Sequence, residues 1–180
     1  MRKELLIGCG RNLTKQLAWS EDHKEWSNLT TLDINPEHNP DIVHNLEEIP
    51  YPFEDNTFDE IHAYEVLEHC GSQGDYKFFF AQFEEFYRIL KPEGKIVATV
   101  PHWQSPWAWG DPSHKRVILL ESLTFLNQEE YTKQVGKTAM SDFRYIYKSD
   151  FNLIGHGKPS EHNLAFILEA VKPSRIDYGN

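Results

Sequence analysis

The sequence contains only two cysteines, and it has no long hydrophobic run. Cys9 and Cys70 do not form a CxxC pair, so we expect two free thiols in a reducing compartment. No stretch approaches the roughly 18 apolar residues of a membrane span. The apolar run behind the basic N-terminus ends at Gly8, which makes it too short for a signal peptide. These absences predict a cytoplasmic protein without membrane contact.

Positive charge is also missing from a long stretch of the chain. Residues 25–76 hold 13 Asp and Glu residues and not one Lys or Arg, and the formal net charge of the whole chain is −10. Such an acidic block repels polyphosphate, so binding to nucleic acid is disfavoured. The block forms either a solvated acidic face or a surface that accommodates a cationic ligand.

The length and the composition indicate one globular domain. A chain of 180 residues is about the size of a single domain. With 39% hydrophobic and 26% charged residues, the chain is expected to be mostly folded and not disordered. No repeat, low-complexity tract or linker interrupts it. We therefore expect residues 1–180 to fold as one domain.

Hydrophobic patterns predict an alternation of strands and helices. Strands are predicted at residues 3–7, 29–34, 41–44, 58–64, 95–100, 143–154 and 164–171. Helices are predicted after an N-cap at Asn12, from residue 66, over 76–90, and over 119–135 with a break near Asn127. The alternation favours a mostly parallel sheet in an α/β fold. The last two strands have no helix between them and should form an antiparallel edge.

Two sites in the first third of the chain are suited to a nucleoside ligand. Gly8 and Gly10 follow the first strand, where small residues allow a ligand to approach the backbone and a helix N-terminus would point at it. Asp33 ends the second strand, 23 residues after Gly10, where a carboxylate can accept hydrogen bonds from ribose hydroxyls. Each feature has a simpler alternative, a packing turn for the glycines and an acidic turn residue for Asp33.

Six short motifs follow one another along residues 4–101: LLIGCG, LDINP, DIVHNLEEIP, PFEDNTFDEI, EVLEH and RILKPEGK. In order and spacing, this string resembles the class I S-adenosylmethionine-dependent methyltransferases of the small methyltransferase-11-like type. The resemblance implies a Rossmann-like α/β fold and S-adenosyl-L-methionine as cofactor. It also implies a division of the domain into a cofactor half, residues 1–101, and a part with the acceptor loop and C-terminal strands, residues 102–180.

The resemblance assigns positions to the cofactor. They are Gly8 and Gly10 beside the methionine part, Asp33 at the ribose, Asn45 and Leu46 at the adenine, and Ala63 and Tyr64 near the sulfonium. His69, in the EVLEH motif, is interpreted as a structural residue that ends a helix.

The chain departs from the family pattern in two places. The third glycine of the dinucleotide fingerprint is replaced by Asn12. Only 11 residues separate Asp33 from Asn45, whereas a parallel crossover normally needs a dozen or more. We therefore expect at most a short strand between residues 34 and 46, and a sheet that is trimmed after the second strand.

The segment His102–Arg116 begins where the fifth strand ends, and ligands of open α/β sheets bind beyond such ends. Its tryptophans could stack on a sugar or a base or surround a cation, or they could pack beneath the loop. The candidate substrate-binding residues are Trp103, Trp107, Trp109 and Arg116. The candidate catalytic residues are His114 as a base, Asp111 to orient it, and His102 as a second base.

These features favour a methyltransferase that acts on a small molecule or a glycan, at oxygen or nitrogen. The alternatives are a nucleotide or nucleic-acid methyltransferase and a non-catalytic protein that binds the cofactor. A metal site from Glu65, His69, His102, Asp111 and His114 lacks a ligand signature, so no metal is expected. The oligomeric state stays open.

Overall fold

The computed structural model of the protein describes residues 1–177, and within them seven strands form one sheet in the order β3-β2-β1-β4-β5-β7-β6. The strands are β1 (Lys3–Ile7), β2 (Asn28–Asp33), β3 (Ile42–Val43), β4 (Phe58–Tyr64), β5 (Leu90–Pro101), β6 (Phe151–Gly157) and β7 (Asn163–Ala170). β1 to β5 pair in parallel, and β7 is antiparallel to both β5 and β6. The predicted mostly parallel α/β sheet with an antiparallel C-terminal edge is confirmed.

The helices of the described chain are α1 (Tyr76–Ile89), α2 (Trp107–Gly110), α3 (Leu120–Thr124) and α4 (Gln128–Gln134). Short 3-10 turns lie at Glu21–His23, Pro36–His38 and Leu67–His69. The predicted break near Asn127 is confirmed, because the Asn127 side chain caps α4 by accepting the N–H of Glu129 at 2.8 Å. Between residues 1 and 177, no helix combines the length and the apolar character that crossing a bilayer demands.

The two faces of the sheet are covered differently. Side chains of β1 alternate between them, so Leu5 and Ile7 belong to the large hydrophobic core and Leu6 belongs to a smaller cluster on the other face. α1, α3 and α4 contribute their buried hydrophobic side chains to the large core. The small cluster consists of Leu6, Cys9 and Tyr64, packed against Leu17, Trp26 and Leu29.

The helix predicted to begin at Asn12 does not form, and the chain is irregular up to residue 20. The Leu13 carbonyl accepts the indole N–H of Trp26 at 2.6 Å, and the Leu17 N–H donates to the Tyr64 hydroxyl at 3.3 Å. Backbone groups that a helix would pair internally are therefore bonded to side chains outside the segment. The prediction was wrong because these tertiary bonds replace the helical ones.

A buried charged network lies beneath this irregular segment. Glu4 on β1 and Glu60 on β4 are neighbours in the parallel register, and both side chains are fully buried. The buried ammonium group of Lys15 bonds both carboxylates, with 3.0 Å to Glu60 Oε2. Further groups that bond or pair with the two carboxylates are Arg2, Trp19, His23, Ser27 and His62.

The structure confirms one of two further predictions about secondary structure and corrects the other. Between Ile34 and Leu46 the chain forms only the Pro36–His38 turn and the two-residue β3, so the expected trimming is confirmed. The predicted strand over 143–154 is shorter than expected, because β6 begins only at Phe151. The preceding residues form a turn instead, with the N–H groups of residues 146 and 147 bonded to the carbonyl of Phe143.

Candidate active site

A cavity of about 470 Å³ opens where the carboxyl ends of β1, β2, β3 and β4 meet. This is the edge at which ligands bind in open α/β sheets, and the volume lies within the roughly 300–1,000 Å³ of ordinary ligand sites. The wall is formed by Gly8, Gly10, Leu32, Asp33, Ile34, His38, His44, Asn45, Leu46, Glu47, Glu65, Val66, His69, Cys70 and Lys115. Five of the seven predicted cofactor residues therefore lie on one cavity wall.

Gly8 and Gly10 form the floor at the end of β1, and both have a left-handed backbone, with φ of +58° and +52°. A Cβ atom on Gly8 would lie 2.3 Å from Cγ2 of Val66, which is closer than any real contact. A Cβ atom on Gly10 would meet no atom within 4 Å. Gly8 is thus required by packing as well as by backbone conformation, while Gly10 faces open space.

The Asp33 carboxylate is buried and held in a defined orientation at the end of β2. Its Oδ2 accepts the N–H of Gly10 at 2.8 Å, and its Oδ1 accepts the N–H of Asn35 at 2.8 Å. His38 Nδ1 lies 3.2 Å from Oδ1. Since a carboxylate offers about four lone-pair sites, each oxygen can accept one more hydrogen bond from a ligand.

The far side of the cavity is a turn that begins at Asn45, whose Oδ1 accepts the N–H of Glu47 at 3.0 Å. Leu46 is buried and presents an apolar surface to the cavity. The Glu47 carboxylate bonds the Lys115 ammonium group and the Gly71 N–H, both at 2.7 Å. The hydrogen bond from Lys115 is the main reason that the pKa of Glu47 lies below its usual range. This ion pair joins the turn to the segment that follows β5.

Glu65 lies directly after β4 and has a left-handed backbone with φ of +52°. Its N–H donates to the Thr99 carbonyl at 3.0 Å, which holds the chain in this conformation. Within the described chain its Oε1 is buried and has no hydrogen-bond partner. Strained non-glycine residues of this kind concentrate at functional sites, and Glu65 faces the cavity.

The other two predicted cofactor residues, Ala63 and Tyr64, do not line the cavity. Ala63 is fully buried in the large core. The Tyr64 side chain points to the opposite face of the sheet, where its hydroxyl lies 2.7 Å from Nδ1 of His62. Successive side chains of a strand lie on opposite faces, so Ala63 and Tyr64 diverge. Glu65, the first residue after β4, lines the cavity.

The tryptophans of the segment after β5 are exposed. Trp103, Trp107 and Trp109 expose 50%, 61% and 68% of their surface, and the Trp109 indole donates to the Trp103 carbonyl at 2.8 Å. The alternative in which they pack beneath the loop is therefore wrong. Lys115, at the end of the same segment, belongs to the cavity wall.

Two predicted residues of this segment lie in the interior. His102 is buried at the end of β5 and donates its backbone N–H to the His162 carbonyl at 2.7 Å. The buried Arg116 guanidinium donates to the Leu67 carbonyl at 2.9 Å and bonds the Gln82 side chain on α1. Arg116 therefore holds the Leu67–His69 turn against α1, and it does not belong to the cavity wall.

The other predicted catalytic pair, Asp111 and His114, lies beside the Leu67–His69 turn. His114 Nε2 is 3.8 Å from Asp111 Oδ2 and 3.9 Å from Oε1 of Glu68. His69 Nε2 is 4.0 Å from the same Glu68 oxygen, and the two imidazole rings are 4.7 Å apart between centroids. Burial raises the pKa of Glu68 to about 8. The structure thus brings Asp111 and His114 together, with Glu68 and His69 as additional members.

The sequence matches the family model described as a methyltransferase domain over residues 5–98, which is just over half of the chain. The chain belongs to this methyltransferase family. The matched residues include the glycines, Asp33 and the turn at Asn45, so the match covers every residue of the cavity wall except Lys115. The protein is an S-adenosylmethionine-dependent methyltransferase with a class I fold.

Solved structures with the same fold cover almost the whole methyltransferase. One is a SAM-dependent methyltransferase from Archaeoglobus fulgidus, with 18% identity, a TM-score of 0.57 and coverage of 93% of this chain and 86% of that chain. Another is the N-methyltransferase NodS from Bradyrhizobium japonicum WM9, with 16% identity, a TM-score of 0.56 and coverage of 95% and 86%. NodS is also known in complex with S-adenosyl-L-homocysteine. No curated protein sequence matches the chain significantly.

The residues of the cavity fit S-adenosylmethionine. The floor has two glycines without side chains, Asp33 offers oriented acceptor sites for hydroxyl groups, and Leu46 supplies an apolar wall. The cavity volume of about 470 Å³ is sufficient for a ligand of that size. The fit differs from that of a dinucleotide fold in one respect, since residues 11–20 provide no helix N-terminus behind the glycines.

Sequence reasoning missed several residues of the site. Glu65 and Glu68 belong to the EVLEH motif, so their position was visible, but their orientation was not. His69 was interpreted as structural; its Nδ1 does bond the Ser113 carbonyl at 3.2 Å, and the residue also lines the cavity. The pair Glu47–Lys115 joins residues 68 positions apart, and no local pattern could have indicated it.

Proposed function

We propose that this methyltransferase acts in the cytoplasm and transfers a methyl group to a hydroxyl or amine of a small molecule or a glycan. The observation that carries the proposal is the exposed tryptophan cluster, Trp103, Trp107 and Trp109, on the segment whose end lines the cavity. Exposed indole rings are suited to stack on the apolar face of a sugar or on another planar group. The buried, unpaired state of both cysteines is consistent with a reducing compartment.

We assign the cofactor residues as follows. When bound, S-adenosylmethionine supplies an electrophilic methyl group on a sulfonium. Gly8 and Gly10 allow it to approach the backbone, the Asp33 carboxylate accepts its ribose hydroxyls, and Asn45 and Leu46 border the adenine. This set is supported by its position on one wall of the cavity.

Replacement of Asp33 tests this assignment. Because the Asp33→Ala variant loses hydrogen bonds to a charged acceptor, we expect about 1.5–3 kcal/mol weaker binding, a roughly ten- to hundredfold loss of affinity. Isothermal titration with S-adenosylmethionine measures this loss of affinity. Asp33→Asn keeps one acceptor oxygen and should lose less. Equal affinities for Asp33→Ala and the parent protein would contradict the ribose assignment.

The acidic surroundings of the cavity support a small acceptor over a nucleic acid. Asp33, Glu47 and Glu65 line the cavity, and the only Lys or Arg among its described wall residues is Lys115, which is paired with Glu47. A phosphate backbone would meet repulsion here and would find few cationic partners. An acceptor without negative charge is compatible with this wall.

Removal of two tryptophans separates recognition from stability. Since Trp107 and Trp109 are mostly exposed, we expect the Trp107→Ala/Trp109→Ala variant to change the free energy of unfolding by no more than about 0.5 kcal/mol per site. Affinity for S-adenosylmethionine should be nearly unchanged, while methyl transfer should be lost. A thermal melt and the titration above provide the controls. A large fall in Tm together with lost cofactor binding would contradict the acceptor-site proposal.

The role of His114 as a general base, oriented by Asp111, stays a prediction. Their atoms lie 3.8 Å apart, which is longer than a hydrogen bond. A base is needed only where the acceptor carries a proton that must leave, as a hydroxyl does. His102 donates its backbone N–H to His162 and accepts the Gln104 N–H on Nδ1 at 3.3 Å, so its part as a second base also stays a prediction.

An acceptor screen tests the proposal as a whole. The protein is incubated with labelled S-adenosylmethionine and separate panels of glycans, small amines and alcohols, nucleotides, and RNA. Label transfer to a glycan or small molecule is the expected result. Transfer to the nucleic-acid panel alone would favour the nucleotide alternative. Tight cofactor binding with no transfer to any panel would favour a non-catalytic binding protein.

A further inference from the structure

We propose that Glu68, His69, Asp111 and His114 form a binding site for one divalent first-row transition-metal ion at the edge of the cofactor cavity. The proposal is independent of the acceptor class, but it replaces the general-base role of His114, since Nε2 cannot bind an ion and accept a proton at the same time. It concerns a side-chain cluster that brings together two sequence segments, the Leu67–His69 turn and the loop after α2.

The first observation is the state of Glu68. Its side chain is almost completely buried, and within residues 1–177 neither carboxylate oxygen has a hydrogen-bond partner. A buried carboxylate without hydrogen bonds is costly, so such groups are normally paired or coordinate a metal. Oε1 of Glu68 faces both imidazoles, 3.9 Å from His114 Nε2 and 4.0 Å from His69 Nε2. An ion between these atoms would satisfy the carboxylate.

The second observation is the geometry of the donor atoms. The potential ligand atoms of Glu68, His69 and His114 all lie within 4.8 Å of one another, and Asp111 Oδ2 lies 3.8 Å from His114 Nε2. A tetrahedral site with bonds of about 2.0–2.2 Å places neighbouring donors roughly 3.4 Å apart. The distances from Glu68 Oε1 to the two imidazoles, 3.9 and 4.0 Å, and from Asp111 to His114, 3.8 Å, each exceed that spacing by about half an ångström.

The third observation is that hydrogen bonds to Ser113 fix the orientation of two candidate ligand side chains. His69 Nδ1–H donates to the Ser113 carbonyl at 3.2 Å, which leaves Nε2 as the unprotonated nitrogen toward Glu68. Asp111 Oδ1 accepts the Ser113 N–H at 2.8 Å and the Ser113 hydroxyl at 2.6 Å, which leaves Oδ2 toward His114. Outer hydrogen bonds of this kind set the tautomer and the direction of metal ligands.

Backbone hydrogen bonds also join the two segments that carry the cluster. The N–H groups of Lys115 and Arg116 donate to the Glu68 carbonyl at 2.9 Å and 3.3 Å. The two segments that carry the four side chains are thus held in register before any ion binds. The cluster contains neither Glu65 nor His102. It contains Glu68 instead, which lies in the 3-10 turn Leu67–His69.

The chemistry of the donors selects the class of ion. Two imidazole nitrogens and two carboxylate oxygens suit Zn²⁺, Fe²⁺, Mn²⁺ or Co²⁺ better than Ca²⁺ or Mg²⁺, which prefer oxygen alone. Two carboxylates also balance the charge of a divalent ion. His69 belongs to the cavity wall, so the ion would lie next to the space that the cofactor and the acceptor share.

The test uses the full chain after treatment with a chelator. Isothermal titration with Zn²⁺ should show one site per chain, and Co²⁺ should produce the visible d–d absorption of a four-coordinate ion. Glu68→Gln and His114→Ala should each weaken Zn²⁺ binding by at least about 100-fold, since even loss of an outer-shell partner costs roughly 10–100-fold. His156→Ala, which removes an exposed histidine on β6, is the matched control and should bind Zn²⁺ like the parent protein.

Stability provides a second readout. Zn²⁺ should raise the Tm of the parent protein and of His156→Ala, and it should leave the Tm of Glu68→Gln unchanged. Titration with S-adenosylmethionine is run in parallel. Zn²⁺ binding that is absent in the parent protein, or equal in all variants, would overturn the metal site. The cofactor assignment would stand in that case if S-adenosylmethionine still binds. If the parent protein binds Zn²⁺ but does not bind S-adenosylmethionine, the result would instead contradict the cofactor assignment.

Discussion

Gly8→Ala is expected to destabilise the protein and to abolish cofactor binding, whereas Gly10→Ala should be tolerated much better. Both glycines have a left-handed backbone, which costs an alanine about 1–2 kcal/mol. Only at Gly8 would the new Cβ lie 2.3 Å from Val66 Cγ2 and 2.8 Å from Val66 Cβ. Overpacking adds about 1–3 kcal/mol, so the total loss at Gly8 is about 2–5 kcal/mol. Urea unfolding and titration with S-adenosylmethionine measure the two effects.

Gly10→Ala is the matched control for Gly8→Ala, because it carries the backbone strain without the contact to Val66. A second variant tests the contact directly. In a Val66→Gly background, Gly8→Ala should lose only the smaller amount that Gly10→Ala loses. If Gly8→Ala and Gly10→Ala were equally stable in the parent background, the packing of Val66 against Gly8 would not be the cause.

Lys15→Met should be the most destabilising change in the irregular segment. The Lys15 side chain is 2% exposed, and its ammonium group bonds both Glu4 and Glu60 on the sheet. Its removal leaves the two buried carboxylates with Arg2, whose Nε lies 3.1 Å from each, as their remaining shared cation. Breaking a buried ion pair in this way costs about 3–5 kcal/mol. The free energy of unfolding in urea at neutral pH gives the measurement, and a second replacement, Glu60→Gln, should restore part of the loss.

The effect of Lys15→Met should shrink in acid. Burial acts to raise the pKa of Glu60, but hydrogen bonds from His62, His23, Lys15 and Trp19 outweigh it and hold that pKa well below its usual range. A carboxylate with a lowered folded-state pKa contributes stability above its unfolded pKa of about 4.3, and this contribution is lost as the pH falls toward the folded value. The difference between the parent protein and Lys15→Met should therefore narrow below about pH 4.

Lys24→Met provides the matched control for Lys15→Met. Lys24 follows the Glu21–His23 turn directly after this segment, but its side chain is 61% exposed and pairs with the exposed Glu21. Surface pairs contribute little, so this variant should stay within about 0.5 kcal/mol of the parent protein. If Lys15→Met were as stable as Lys24→Met at neutral pH, the buried network would not hold the irregular segment to the sheet.

The sequence alone was sufficient for the order of the strands and for five residues that share one wall of the cavity. Gly8, Gly10 and Asp33 lie at strand ends that can be identified from local patterns, and the carboxyl ends of parallel strands meet at one edge of a sheet. The short spacing from Asp33 to Asn45 was enough to exclude a helix, because chain length limits what can form there. These features depend on a few neighbouring residues, and for that reason they could be predicted from the sequence.

Other features depend on partners that are distant in the sequence. The helix expected at Asn12 is replaced by bonds from Trp26 and Tyr64, and the orientation of Tyr64 away from the cavity follows from the pleat of β4. Arg116 was predicted at the substrate and lies in the interior, because Leu67 and Gln82 provide acceptors that only the folded chain brings near. Local propensity could not anticipate these bonds.

Short segments of the chain encode the family, the cofactor, the order of the strands and the positions of Gly8, Gly10 and Asp33. Which side chains face the cavity, and which pairs meet across it, depends on the folded chain. Glu47 and Lys115 are far apart in the chain, as are Glu68 and His114, and they meet because the loop after α2 folds back on the turn after β4. Such contacts arise from the packing of whole elements, which no local pattern contains.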